Sequence, residues 1–225
     1  MKKKIRALAI DGPAGAGKST IAKAVSRELG WIYVDTGAMF RAVALFLLRE
    51  GVEASDKEAV RRTVPGAEVT IRYENGEQQV LLNGENVSGL IRTEEVGNMA
   101  SACSVYPEVR EKLLELQRNL AAREPVVMDG RDIGTVVLPD AETKVFLTAS
   151  VPVRALRRYK ELTGKGVACD LKEIEKDIEE RDYRDTHRET APLARAEDAV
   201  LVDSSDMTAR EVTDRLLSLV REKEA

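Results

Sequence analysis

Ile5-Arg6-Ala7-Leu8-Ala9-Ile10-Asp11-Gly12-Pro13-Ala14-Gly15-Ala16-Gly17-Lys18-Ser19-Thr20 is the stretch from which the fold can be read. Its first six residues form an apolar, alternating run, as a half-buried strand has. After the glycines, Ile21-Ala22-Lys23-Ala24-Val25 spaces its apolar residues as a helix does. The order predicted is strand, loop, helix. Gly12, four intervening residues, Gly17, Lys18 and Ser19 fit the phosphate-binding loop pattern in full. Glycines let main-chain N–H groups turn inward around an anion, and a helix opening at Gly17 adds unpaired donors and the positive end of its dipole. Lys18 is placed to reach the outer phosphates, and the Ser19 hydroxyl to ligate Mg2+. A plain glycine turn before an ordinary helix is the alternative, and the Lys-Ser pair argues against it. A nucleoside triphosphate is the expected ligand.

Composition narrows the rest. A chain of 225 residues is long enough for one α/β core with appendages that cannot fold alone. Its hydrophobic fraction of 43% supports a packed core, whereas 4% aromatic residues gives little support to base-stacking platforms. A net charge of -4 argues against general nucleic-acid affinity. Lys2-Lys3-Lys4 is a charge run with no signal-peptide stretch behind it, and the apolar run Ile5 to Ile10 is too short to span a membrane. A cytoplasmic protein is expected. Cys103 and Cys169 are too few and too far apart for a metal knuckle or disulfide framework, so both read as structural in a reducing compartment.

Outward from the loop, Gly30 is a natural left-handed stop for the first helix. Trp31 to Val34 reads as a buried strand ending at Asp35-Thr36-Gly37, and Ala38 to Leu48 as a helix stopping at Gly51. Thr36 and Gly37 therefore stand at a second helix N-terminus, either touching a second ligand beyond the strand ends or simply capping the helix. From Asp56 to Ile91 the α/β alternation is interrupted. Val69 to Tyr73, Gln79 to Leu82 and Asn86-Val87, separated by Asn75-Gly76 and Asn83-Gly84, predict a small inserted antiparallel sheet. Thr93 to Ala122 reads as two helices, the second opening at Pro107. Pro125 to Met128 is a short buried strand ending in Asp129-Gly130-Arg131-Asp132, where phosphate-loop enzymes keep a carboxylate for hydrated Mg2+. Asp129 as a mere turn residue before Gly130 is the alternative.

Lys144 to Thr148 is a further strand, and Val153 to Leu162 a basic helix with Arg154, Arg157, Arg158 and Lys160. The segment Thr163-Gly164-Lys165-Gly166-Val167 is hinge-like. A helix follows from Asp170 on which Arg181, Arg184, Asp185 and Arg188 stand at i, i+3, i+4 and i+7, forming one stripe. That stripe is either a solvated face with Arg181 paired to Asp185, or guanidinium groups gathered for phosphoryl transfer. His187 reads as a surface residue. Ala199 to Val202 is a last strand, and Thr208 to Glu222 an amphipathic helix with a Thr208/Glu211 capping box. No Asn-Lys-x-Asp guanine motif is present, and no Glu follows Asp129. With two ligand-facing edges and a closing hairpin, a phosphotransferase fits better than a switch or a motor ATPase.

Asp11 to Thr20, Asp35-Thr-Gly-Ala-Met-Phe-Arg41, Val87-Ser-Gly89 with Ile91-Arg92-Thr93, Asp129-Gly-Arg-Asp-Ile-Gly-Thr135, and Arg181-Asp-Tyr-Arg-Asp-Thr-His-Arg188 with Ala191-Pro192-Leu193 together resemble bacterial cytidylate kinases. The resemblance covers essentially the whole chain. It implies an α/β phosphate-loop fold with a parallel sheet flanked by helices, a small antiparallel insertion and a helical lid. Its parts would be a core (1–35, 94–152, 190–225), a monophosphate-binding region (36–93) and a lid (153–189). The implied reaction is ATP-dependent phosphorylation of CMP and dCMP with Mg2+; the sequence marks no oligomer interface, so a monomer without nucleic-acid or membrane partners is expected.

At matching positions, ATP would be bound by Gly12, Pro13, Ala14, Gly15, Ala16, Gly17, Lys18, Ser19 and Thr20, with Arg157 and Arg158 on the lid side. Arg41 and Arg131 would hold the CMP phosphate, and Ser101, Arg110 and Asp132 would read cytosine, with Thr36 and Gly37 beside it. Arg181 and Asp185 would meet the pentose, and Arg188 would help place the monophosphate. Lys18, Arg131, Arg181 and Arg188 would carry the catalytic charge, and Ser19 with Asp129, through water, the metal. Thr36 stands where family members commonly have Ser, keeping the hydroxyl and adding a methyl group, which bears on the degree of CMP over UMP preference. A kinase for AMP, UMP or shikimate, or an ATP-binding switch, would share the loop but not the whole set.

Overall fold

The computed structural model describes residues 5–224; Lys2-Lys3-Lys4 lies outside them. β1 (Ile5–Asp11) is followed by α1 (Lys18–Leu29), so the strand-loop-helix reading holds, with Gly17 as N-cap and Gly30 left-handed at φ 66°. β1 departs from a half-buried strand: Ala7, Leu8, Ala9 and Ile10 are all 0% exposed. The reason is its place in the sheet, whose order is β2 (Ile32–Asp35), β6 (Val126–Gly130), β1, β7 (Ala141–Thr148), β8 (Val200–Asp203). β1 pairs in parallel with both β6 and β7, and β7 with β8. A parallel strand covered by helices has no solvated face, so small and branched apolar residues fill both.

The chain divides into two compact units, residues 1–31 with 126–225, and residues 32–125. In the first unit, α1 and α8 (Ala209–Glu224) pack on each other. The Thr208/Glu211 capping box is formed: the Thr208 amide and hydroxyl each donate to Glu211 Oε2 at 2.8 Å, and the Glu211 amide donates to Thr208 Oγ1 at 3.3 Å. α6 (Val151–Gly164) and α7 (Leu171–His187) form a hairpin held by Ala155, Ile174 and Ile178. Asp170 caps α7 by accepting from the amides of Lys172 and Glu173. Between β6 and β7 the structure adds a π-helical turn at Ile133–Val137 that no local pattern announced.

In the second unit, α2 (Thr36–Arg49) packs against α4 (Glu94–Cys103) and β4 (Glu77–Leu82). β3 (Val69–Glu74), β4 and β5 (Glu85–Asn86) make the expected small antiparallel sheet. Asn75 (φ 52°) with Gly76 (φ 77°), and Asn83 (φ 50°) with Gly84 (φ 84°), form its two-residue turns, because two consecutive positive φ angles match the strand twist. α3 (Lys57–Thr63), capped by Asp56, was not expected; it buries only Val60, too little for an apolar period to register. α4 and α5 (Pro107–Arg123, with Pro107 in its first turn) cluster in this unit, where the sequence expectation grouped 94–125 with the core. Val96, Met99 and Ala100 of α4 are buried. Among the described residues, no helix is long and apolar enough to cross a membrane.

Candidate active site

The loop at the end of β1 is shaped by close approach. A Cβ added to Gly12 would lie 1.9 Å from the Leu147 carbonyl oxygen of β7, so no other residue fits there. Lys18 is buried and its Nζ donates to the Pro13 carbonyl at 2.8 Å, across the loop. Burial, and next the Arg131 guanidinium, push its pKa down to about 7, with the Asp129 charge opposing them. Ser19 Oγ donates to Asp129 Oδ2 at 2.9 Å, so residues 110 positions apart meet as the sequence reading required. A hydroxyl and a carboxylate are hard oxygen donors of the kind Mg2+ takes, and this pair fits the ion.

Asp11 was quoted in the motif without a role, and the structure gives it one. Its two carboxylate oxygens accept from the amides of Ile133 and Gly134, both at 2.7 Å, fastening the end of β1 to the π-helical turn behind Asp132. Burial raises its pKa to about 6 against those two hydrogen bonds. An aspartate at the end of a buried strand was the available signal; its partners lie too far along the chain to be read. Asp132 itself is buried, next to that turn.

Arg131 is half-buried, and its Nε donates to Asp185 Oδ2 at 2.9 Å. Burial alone would raise the Asp185 pKa; the Arg131 charge and hydrogen bond, with Arg181 and Arg188 beyond, outweigh it and hold the carboxyl below its usual value. Arg131, Arg181 and Arg188 are therefore gathered round one buried carboxylate. The four-residue stripe is corrected accordingly. α7 ends at His187, Arg188 is extended (φ -67°, ψ 143°) with Nε on the Ala191 carbonyl at 2.7 Å, and Arg184 is exposed. Asp185 hydrogen-bonds Arg131 of another element. His187 is a surface residue stacked on Tyr183, ring centroids 4.0 Å apart.

On α6 the arginines separate. Arg157 donates to the Ser204 carbonyl at 2.7 Å and the Ser204 hydroxyl at 3.2 Å, and its Nη1 borders Gly17. Arg158 is exposed and pairs with Glu161 at 2.9 Å. Arg154, named in the sequence only as one of several cations, is buried against the phosphate loop, its Nη1 on the Ala14 carbonyl at 3.0 Å. Burial alone distinguishes it from its neighbours. Gly15, Ser19 and Thr20 of the loop are exposed, whereas Pro13 and Ala16 are buried.

Within residues 32–125, the cap of α2 is Asp35, which accepts from the Ala38 amide at 2.9 Å and from Arg92 Nη2 at 2.8 Å. Thr36 is the first helical residue, so its alternative reading as the cap is overturned; it is 3% exposed, and Gly37 is exposed beside it. Arg41, one turn on, donates to the Ile91 carbonyl at 3.2 Å. Arg110 donates to the Ser104 carbonyl at 3.1 Å and lies 5.5 Å over the Phe40 ring. Ser101 is half-buried on α4, its carbonyl accepting from Ser104 Oγ at 2.9 Å. Burial pushes the Cys103 thiol up to about 12, which suits a structural residue.

A family model described as cytidylate kinase matches residues 8–222. The chain belongs to the cytidylate kinase family. A cytidylate kinase from Lactobacillus johnsonii is 47% identical over 228 residues, covering 100% of this chain and 99% of the relative. One from Listeria innocua is 50% identical over 224 residues, covering 99% of each, and one from Desulfitobacterium hafniense is 48% identical over 223 residues, covering 99% and 95%. As a cytidylate kinase family member the chain is a phosphate-loop nucleoside monophosphate kinase, and the buried Lys18, the Ser19–Asp129 pair and the arginines round Asp185 lie in the unit that carries the loop.

Proposed function

We propose that this kinase moves the γ-phosphoryl group of Mg-ATP onto CMP and dCMP, giving CDP and dCDP, as a cytoplasmic monomer. The observation that carries the reading is the Ser19–Asp129 hydrogen bond beside the buried Lys18, a metal-and-phosphate arrangement at a loop of the right pattern. In the transfer, a phosphate oxygen of the acceptor forms a bond to the γ-phosphorus as the bond to the β-bridging oxygen breaks, and ADP leaves with that electron pair. Ser19, with Asp129 through water, would hold Mg2+, which would supply charge neutralisation on the triphosphate.

The chain's own residues orient and neutralise. Gly12 to Thr20 wrap the triphosphate, and Lys18 bridges donor and transferred phosphates. Arg157 supports the ATP side through its place beside Gly17, with Arg158 further out. Arg41 and Arg131 hold the acceptor phosphate, and Arg181 and Arg188 add charge as it spreads over the equatorial oxygens. Asp185 keeps Arg131 oriented and meets the pentose together with Arg181. Asp132 accepts from the exocyclic amine of cytosine, a donor that uracil lacks, while Ser101, Arg110, Thr36 and Gly37 line the base. The α6–α7 hairpin, closing as a lid, keeps water from the phosphoryl group.

A coupled ADP-release assay with Mg-ATP, offering CMP, dCMP, UMP, AMP and GMP separately beside a no-acceptor control, tests the proposal. Turnover confined to CMP and dCMP, with UMP well behind, is expected. Preference for another acceptor would overturn the base-reading roles, and acceptor-independent ADP release would overturn the transferase.

A further inference from the structure

Arg154 opens α6 and is 3% exposed, yet its guanidinium is satisfied by three separate parts of the first unit. Nε donates to the Ala149 carbonyl at 2.8 Å. Nη1 donates to the Ala14 carbonyl at 3.0 Å and to Asp182 Oδ1 at 3.1 Å, and Nη2 to Asp182 Oδ2 at 2.6 Å. Two of these partners are what any buried arginine needs, a backbone carbonyl and a bidentate carboxylate. The third is the tip of the phosphate loop. Gly15 is pressed on the same side chain: a Cβ there would lie 3.3 Å from Arg154 Cβ, and its φ of +75° is one that glycine adopts without strain.

The peptide plane turns this contact into a statement about the ligand. In a trans peptide the carbonyl and the following N–H point in opposite directions. The chain has no cis peptide bond among the described residues, so a guanidinium that draws the Ala14 carbonyl toward itself turns the Gly15 N–H to the side away from Arg154. We propose that Arg154 is a positioning residue of the phosphate loop: it holds the Ala14–Gly15 peptide so that the Gly15 N–H faces the phosphates, and Asp182 of α7 holds Arg154 in that orientation. Arg154 itself touches no phosphate. Asp182 and Asp185 are three apart on α7, so one helix face sets both the loop, through Arg154, and Arg131 directly. The inference rests on the triphosphate reading of the loop and does not depend on which acceptor is used.

The test uses the full chain with inorganic tripolyphosphate and Mg-ADP as binding probes, followed calorimetrically, and steady-state kinetics. Arg154→Lys keeps the charge but cannot span a carbonyl and a bidentate carboxylate at once. It is expected to weaken tripolyphosphate binding and raise KM for ATP roughly tenfold, the weight of one charge-assisted hydrogen bond, with KM for CMP within about twofold. Asp182→Asn, which preserves shape, is expected to move the same two quantities about threefold and covers the case in which Arg154→Lys does not fold. Unchanged tripolyphosphate affinity in a folded variant would overturn the proposal. So would an equal rise in both KM values with a lowered Tm, the signature of a merely structural pair. Absence of tripolyphosphate and Mg-ADP binding by the unsubstituted chain would instead overturn the triphosphate reading beneath it.

Discussion

Buried or half-buried carboxylates hold two arginines of the unit that carries the phosphate loop, whereas main-chain carbonyls are among the partners of Arg41 and Arg110 in residues 32–125. In the unit carrying the phosphate loop, Arg131 is held by Asp185 and Arg154 by Asp182, while Lys18, Arg157 and Arg188 donate to main-chain carbonyls and the Ser19 hydroxyl donates to Asp129. Within residues 32–125, Arg41 is oriented by the Ile91 carbonyl, and Arg110 by the Ser104 carbonyl and the Phe40 ring. The Arg92–Asp35 ion pair there serves the cap of α2. A carboxylate partner cancels charge as well as fixing geometry, whereas a carbonyl or a ring face chiefly orients. Burial, rather than pairing, is what displaces Asp11 and Lys18 toward neutral pH: desolvation pushes the carboxyl up to about 6 and the ammonium down to about 7, while their opposite-charge and hydrogen-bonding neighbours resist.

Removing Lys18 breaks the first arrangement most severely. Lys18→Met is expected to lower kcat by about a thousandfold or more in the ADP-release assay, because Lys18 is the one cation within Gly12 to Thr20. Stability should move the other way. The Lys18 pKa is lowered from 10.5 to about 7 on folding, so between those values the unfolded chain binds the extra proton and stability rises with pH. Below pH 7 the buried ammonium carries its full cost. The variant should therefore have a higher Tm than the parent at pH 7, by a margin that narrows toward pH 10. A margin independent of pH would mean that Lys18 is not displaced.

Local spacing accounts for what could be read in advance. The loop, the Asn75-Gly76 turn, the Thr208/Glu211 box and Pro107 at the start of α5 are each defined by residues within a few positions of one another. Asp129 was legible because strand and carboxylate are adjacent. Asp11 was not, since the amides it caps lie 122 and 123 positions away. Arg154 was hidden among like-charged neighbours on α6, where only the approach of the loop buries one and leaves Arg158 in water. The stripe on α7 failed in two ways: periodicity carried the helix through Arg188, which is extended after His187, and spacing alone did not separate the exposed Arg184 from the buried Asp185 that Arg131 holds.

Asp132→Asn replaces an acceptor with a group that can also donate, so discrimination by kcat/KM between CMP and UMP should fall about tenfold, the weight of one polar contact to the distinguishing amine. An unchanged ratio would remove Asp132 from base reading.

Phe40→Leu is the smallest effect and the most direct probe of orientation by a neutral group. The ring face beneath Arg110 contributes a cation–π attraction that leucine lacks, while the Ser104 carbonyl remains. At a half-buried site such an attraction is worth about 0.5–1 kcal/mol, so KM for CMP should rise about two- to fivefold with kcat and KM for ATP nearly unchanged. Phe40→Tyr keeps the ring face and should restore the parent value. If leucine and tyrosine behave alike, the ring packs without orienting Arg110, and the carbonyl alone sets the guanidinium. If leucine lowers kcat as much as it raises KM, Arg110 is tied to the transferred phosphate rather than to the base, and residues 32–125 resemble the loop-bearing unit more than their hydrogen bonds imply.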